Sequence, residues 1–72
     1  MNMSRQALKQ PGGKVIGYIE PASGQSGKLA GKLPSGKLVG IYDTKKDATY
    51  EPSGKLVGYG NMLAVLITNS ST

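Results

Sequence analysis

The chain contains no cysteine, no histidine, no phenylalanine and no tryptophan. Without cysteine no disulfide can staple it, and without histidine and with only four carboxylates a structural zinc site is excluded. The same absences remove the usual catalytic nucleophile, general base and metal ligand together. Without Phe and Trp, the four tyrosines Tyr18, Tyr42, Tyr50 and Tyr59 supply all aromatic packing. Long apolar runs are missing as well: the longest, residues 62–67, is far short of the roughly 18–20 residues that span a bilayer. The N-terminal MNMSRQALKQPGG lacks the apolar stretch of a secretory signal. The expectation is a cytoplasmic protein that does not engage the membrane. With 72 residues there is room for one small core, a size at which burial alone rarely supplies more than about 3–5 kcal/mol. Oligomerisation is the staple left to such a chain.

What the sequence does contain is a repeat. PSGKLVG occurs at Pro34 and again at Pro52, and the shorter unit Gly-Lys-apolar-x-Gly begins at Gly13, Gly27, Gly36 and Gly54. This spacing is too irregular for a solenoid, whose units stack at a fixed period. A series of turns and strands fits it. In Glu51-Pro52-Ser53-Gly54 the proline presets φ for the first turn position, and the glycine accepts the left-handed conformation that closes a three-residue hairpin loop. Leu33-Pro34-Ser35-Gly36 repeats the recipe, Glu20-Pro21-Ala22-Ser23-Gly24 is a looser version, and Thr44-Lys45-Lys46-Asp47 is a polar loop without proline.

Between these turns, residues 14–20, 28–33, 37–43, 48–51 and 55–60 read as short strands rich in Val, Ile, Leu and Tyr. The predicted fold is mainly β: a small antiparallel meander with tight Pro-Ser-Gly turns, ending in a short helix or a swapped strand. Residues 13–67 form its single domain, with flexible segments at 1–12 and 68–72. In residues 37–43 strict alternation puts Leu38, Gly40 and Tyr42 on one face and Lys37, Val39, Ile41 and Asp43 on the other, so apolar side chains occupy both faces and a second layer is required. Glycines inside strands (Gly17, Gly31, Gly40, Gly58) mark a bend, a bulge or a place where a tyrosine ring lies over bare backbone.

Residues 61–67, NMLAVLI, break the pattern. As a helix they have an N-cap in Asn61 and two turns at most; as a strand they are a continuous apolar run of the kind buried on both faces. Met-Leu-Ala favours the helix and Val-Leu-Ile-Thr the strand, and the strand is slightly preferred. The run is too apolar to leave in water. It either closes the chain's own core or, as the preferred expectation, forms a homodimer interface through Met62, Leu63, Val65, Leu66 and Ile67, exchanged as a segment between copies.

No residue pattern carries chemistry. Asp43 with Asp47 and Glu20 with Glu51 are the available carboxylate pairs, but acids flanking turns are ordinarily solvated. The Gly-Lys pairs do not make a phosphate-binding loop, because Leu or Val follows every such lysine where a hydroxyl is needed to hold magnesium. The reading is non-enzymatic, with no catalytic residue, no cofactor and no metal. Nine Lys and Arg against four Asp and Glu give a net charge of +5, as a nucleic-acid binder would show. Lys14, Lys28, Lys37 and Lys55 each follow a turn glycine, which would set them along a rim. With Tyr18, Tyr42 and Tyr59 stacking on bases, they form the alternative, nucleic-acid reading. Only one arginine and a charge spread along the chain favour solvated lysines instead.

The stretch GKLVGIYDTKKDATYEPSGKLVGYGNML, residues 36–63, resembles small bacterial and phage-encoded proteins with the pattern GKxVGxYD…TY…GKxVGxGNxL. The resemblance implies a short β-meander, in some cases an intertwined dimer, and carries over no activity, cofactor or catalytic residue. Together these readings predict a small binding or structural module acting through protein contacts as a homodimer, with another protein as a further partner.

Overall fold

The computed structural model describes residues 5–70, and its framework is one turn used three times. In Gln10-Pro11-Gly12-Gly13, Leu33-Pro34-Ser35-Gly36 and Glu51-Pro52-Ser53-Gly54, the glycine N–H donates to the carbonyl of the first residue at 2.8–2.9 Å. The first residue's N–H in turn donates to the carbonyl of the lysine that follows, Lys14, Lys37 or Lys55, also at 2.8–2.9 Å. The three closing glycines have φ of +95, +95 and +98°, a region that costs a residue with a β-carbon.

Each turn joins a hairpin: β1 (Gln6–Lys9) with β2 (Val15–Pro21), β3 (Lys28–Lys32) with β4 (Leu38–Asp43), and β5 (Ala48–Tyr50) with β6 (Leu56–Tyr59). All three hairpins shift register at the same place, between Leu8 and Lys9, Gly31 and Lys32, and Thr49 and Tyr50. The β2–β3 and β4–β5 loops complete an antiparallel six-stranded sheet in chain order, the expected meander.

The sheet begins earlier than the sequence reading placed it. Within the segment expected to be flexible, 1–12, residues 6–9 pair with β2 as an edge strand; residues 1–4 lie outside the described residues. At the other end the helix α1 (Leu63–Ser70) runs through Ser70, into the segment 68–72 that was expected to be a free tail, of which residues 71 and 72 lie outside the described residues.

That helix settles the last segment against the preferred strand. Eight residues are too few to hold a helix in water, so its stability comes from packing. Leu63, Leu66 and Ile67 fall at helical spacing on one side. Leu63 and Ile67 are fully buried, Leu66 is half-buried, and Ala64, Val65 and Thr68 are exposed. The Asn61 side chain accepts from the Leu63 N–H at 3.0 Å, as an N-cap does.

The helix lies across β2, β3 and β4, and the central glycines are its seat. A β-carbon placed on Gly17 would lie 2.5 Å from Ile67 Cγ2, one on Gly31 3.2 Å from Leu63 Cδ2, one on Gly40 2.5 Å from Leu66 Cδ1, and one on Gly58 2.7 Å from Met62 Sδ. Of the bend, bulge or tyrosine ring expected at these glycines, Gly31 does adjoin a bulge, and what lies over all four is not a ring but the side chains of α1 and of Met62 just before it. The bulge in the second hairpin also explains the mixed faces of β4. Leu38 pairs with Lys32 while Gly40 pairs with Gly31, so Leu38 joins Ile41 on the side away from the helix.

Thr49, fully buried, pins the helix start. Its Oγ1 donates to the Gly60 carbonyl at 2.7 Å and accepts from the Met62 N–H at 3.0 Å. Thr49→Val keeps the shape and orphans both backbone groups, and is expected to cost about 2 kcal/mol. A lower urea midpoint with an unchanged slope would show it. An unchanged midpoint would mean that this bond does not hold the helix.

Candidate binding face and lysine rims

With α1 on one side, register assigns the other side of the sheet. Three rows cross it: Ala7, Tyr18, Lys32 and Leu38; then Glu20, Ala30, Ile41, Tyr50 and Leu56; then Lys28, Asp43, Ala48 and Tyr59. Ala30 and Ala48 are buried at its floor. Leu38, Ile41 and Tyr50 are half-buried, and Leu56 and Tyr59 on the edge strand are 43% and 75% exposed. A shallow groove of about 410 Å³ follows β4 between Lys28 and Asp43 at one end and Glu51 and Pro52 at the other, floored by Leu38, Ile41 and Tyr50.

Charges on this face are largely matched. Lys32 Nζ bonds Glu20 Oε2 at 2.9 Å. Lys28 stands opposite Asp43 in register. The Arg5 guanidinium sits 4.1 Å from the centre of the Tyr18 ring, a cation–π contact.

The carboxylates considered as pairs serve local structure. Asp43 Oδ1 accepts from the Lys45 and Lys46 N–H groups at 2.9 and 3.3 Å, which shapes the β4–β5 loop. Thr44 ties that loop to the β2–β3 loop, its N–H and its hydroxyl both donating to the Gly27 carbonyl. The Tyr42 hydroxyl donates to Asp47 Oδ1 at 2.7 Å, and this bond holds the Tyr42 phenol above its ordinary value. Loss of hydration and the negative charges of Asp47 and Asp43 act in the same direction. Glu20 and Glu51 flank strands three apart in the sheet and do not meet. Among the described residues no cluster of acids could hold a metal ion, and no helix is long and apolar enough to cross a membrane.

The residues expected to contact nucleic acid divide between both ends and both faces. Lys14, Lys37 and Lys55 do share one rim, on the three equivalent turns, and are exposed. Lys28 begins a strand of the opposite direction and lies at the other end, near Lys45 and Lys46. Tyr18 and Tyr59 belong to the open face, Tyr18 with one side of its ring taken by Arg5. Tyr42 belongs to the helix side, in register with Thr49 and Leu29. Tyr50, not among the expected contacts, is central to the open face. Its register with Ile41 follows from the β4–β5 loop, and its alternation with buried Thr49 is the signal that points to it.

Of the five expected interface residues, Leu63 and Ile67 are spent inside the chain's own core, Met62 and Leu66 are half-buried, and Val65 alone is exposed, at 48%. In the chain as folded, the apolar run packs on the chain's own sheet, with Val65 on its outer side. No protein-family model, no curated protein and no solved structure matches the chain.

Proposed function

We propose that the protein is a non-enzymatic binding module that works by surface contact and forms a homodimer through the open face of its sheet. One observation carries this reading: a six-stranded sheet with a helix on one face only, whose other face presents Leu38, Ile41, Tyr50, Leu56 and Tyr59 to solvent. Antiparallel sheets tolerate one wet face when that face is polar, and the centre and free edge of this one are apolar.

Its size is suitable. The molecule measures 34 × 29 × 19 Å, and the two longer dimensions suit the sheet plane, comparable with the roughly 800 Å² per partner of a standard interface. Matched charges around an apolar centre favour a protein surface over a polyanion, and the Arg5 side chain over Tyr18 occupies a ring on which a base would otherwise stack. A second copy fits best, because the small core leaves a single chain with little stability of its own.

Light scattering on a size-exclusion column tests this. The expected result is a dimer that Ile41→Lys and Leu56→Glu each convert to a monomer. A wild-type monomer throughout the accessible concentration range would overturn it. So would a dimer that survives both substitutions and yields only to Val65→Glu, which would place the interface on the helix.

A further inference from the structure

The turn rim is a second surface, which meets the open face only where Glu51 and Pro52 close the groove. Three hairpins place Lys14, Lys37 and Lys55 at the same position of the same turn, just after a glycine with φ near +95°. Strands in a sheet are about 4.8 Å apart, so turns on alternate connections stand about 10 Å apart and the three lysines line an edge about 20 Å long. Lys9 lies at this end as well, one residue before the first turn. Lys32, one residue before the second turn, is neutralised by Glu20; against the other four lysines stands one carboxylate, Glu51, so the rim carries a net +3 of the chain's +5.

The opposite end differs in arrangement as well as in amount of charge, since Lys28, Lys45 and Lys46 against Asp43 and Asp47 leave a net +1. There Asp43 and Asp47 lie within the same loop as Lys45 and Lys46, and Asp43 accepts from the backbone of both. At the turn rim none of the three turn lysines forms an ion pair, since the sole salt bridge among the described residues joins Lys32 and Glu20. The tips between them are Pro-Gly, Pro-Ser and Pro-Ser, small and exposed, with the end of α1 at Ser70 bordering the first two.

We propose that this rim binds the phosphodiester backbone of nucleic acid without reading bases. An edge of about 20 Å spans about six steps of a duplex at 3.4 Å of axis each. Lysine contributes a mobile point charge, suited to a repeating anion rather than to a single forked contact. The serine hydroxyls of two tips can donate to phosphate oxygens, contacts that position without specifying sequence. Tyr50 stands one residue before the third turn but on the open face; the turns themselves hold no tyrosine, and the proposal does not invoke base stacking. It does not depend on the dimer, whose face meets the rim only at the third turn.

The test is fluorescence anisotropy with random-sequence duplex and single-stranded oligonucleotides, at salt concentrations between about 50 and 200 mM. Two triple variants of equal charge are compared: Lys14→Gln/Lys37→Gln/Lys55→Gln and Lys28→Gln/Lys45→Gln/Lys46→Gln. The expected result is salt-sensitive wild-type binding that the first triple weakens by roughly tenfold or more and the second by about threefold or less. The log–log salt slope on duplex should fall by about 2.7 in the first triple, near 0.9 per lost phosphate contact. Exposed turn lysines leave the fold intact, which matching circular dichroism melts would verify. Equal losses in the two triples would reduce the effect to net charge and overturn the proposal. Absence of wild-type binding at low salt would overturn it too, as would binding to acidic phospholipid vesicles and not to oligonucleotides.

Discussion

Gly17→Ala is expected to leave much of the protein unfolded at room temperature. The added β-carbon would lie 2.5 Å from Ile67 Cγ2 and 2.7 Å from the Lys32 carbonyl oxygen. The side chain can turn aside, but the carbonyl belongs to β3 and is held by the sheet. Overpacking of this kind costs about 1–3 kcal/mol or more, and the backbone contact puts Gly17 at the upper end. That is most of the roughly 3–5 kcal/mol available to a domain of this size. The other seat glycines rank below it. Gly40 meets Leu66 at 2.5 Å and a backbone oxygen only at 3.2 Å, Gly31 meets Leu63 side-chain atoms at 3.2 Å and beyond, and Gly58 meets the flexible end of Met62. Gly58→Ala should be nearly neutral. Urea titration of the four alanine variants reads the order directly. If Gly58→Ala cost as much as Gly17→Ala, the helix would not be seated as described.

Ile67→Ala is the second large effect, approached from the other side of the same contact. Ile67 is 0% exposed, and truncating a fully buried isoleucine costs about 2–5 kcal/mol through lost burial and the cavity left behind. In so thin a core this is expected to abolish the cooperative thermal transition. Val65→Ala, two residues away on the outer side, should change stability by no more than about 0.5 kcal/mol. The pair distinguishes a helix that serves its own chain from one that serves a partner. Comparable losses at both positions would mean that the outer side is buried in the assembled protein.

Much of the fold was legible because turns are written locally. Pro at the second position and Gly at the fourth define the loop from four residues, and the strands between such loops follow. The first copy, Gln10-Pro11-Gly12-Gly13, has the same Pro, Gly and Lys, yet it lies in a polar head whose composition suggested mobility. Missing that turn meant missing β1. The helix was undecided for a different reason. An apolar run of six satisfies a buried strand and a helix alike, and what chose between them was the bare backbone of Gly17, Gly31 and Gly40, residues brought side by side only by the completed sheet.

The candidate surfaces were legible to different degrees. Which lysines follow a turn glycine can be read directly, but which of them share an end depends on strand direction, and this separates Lys28 from Lys14, Lys37 and Lys55. The bulges, which strict alternation cannot anticipate, carry Leu38 and Leu56 to the open face, whereas Tyr42 keeps the face of Gly40. The open face took its centre from Tyr50 and Ile41, while Tyr42 went to the helix side.

The glycine seat also bears on how the chain survives its own synthesis. A β-hairpin closes in about 1–10 μs, whereas a ribosome adds about 5–20 residues per second. Hairpins are local, and an eight-residue helix holds only by packing on the finished sheet, so the sheet forms before its cover docks. A nascent sheet with leucine or valine at positions 17, 31 and 40 would offer an adhesive strip to every neighbouring chain. Glycine there offers almost nothing to adhere to. The sticky atoms reside on the late-arriving helix, so the core's two halves are never exposed together for long.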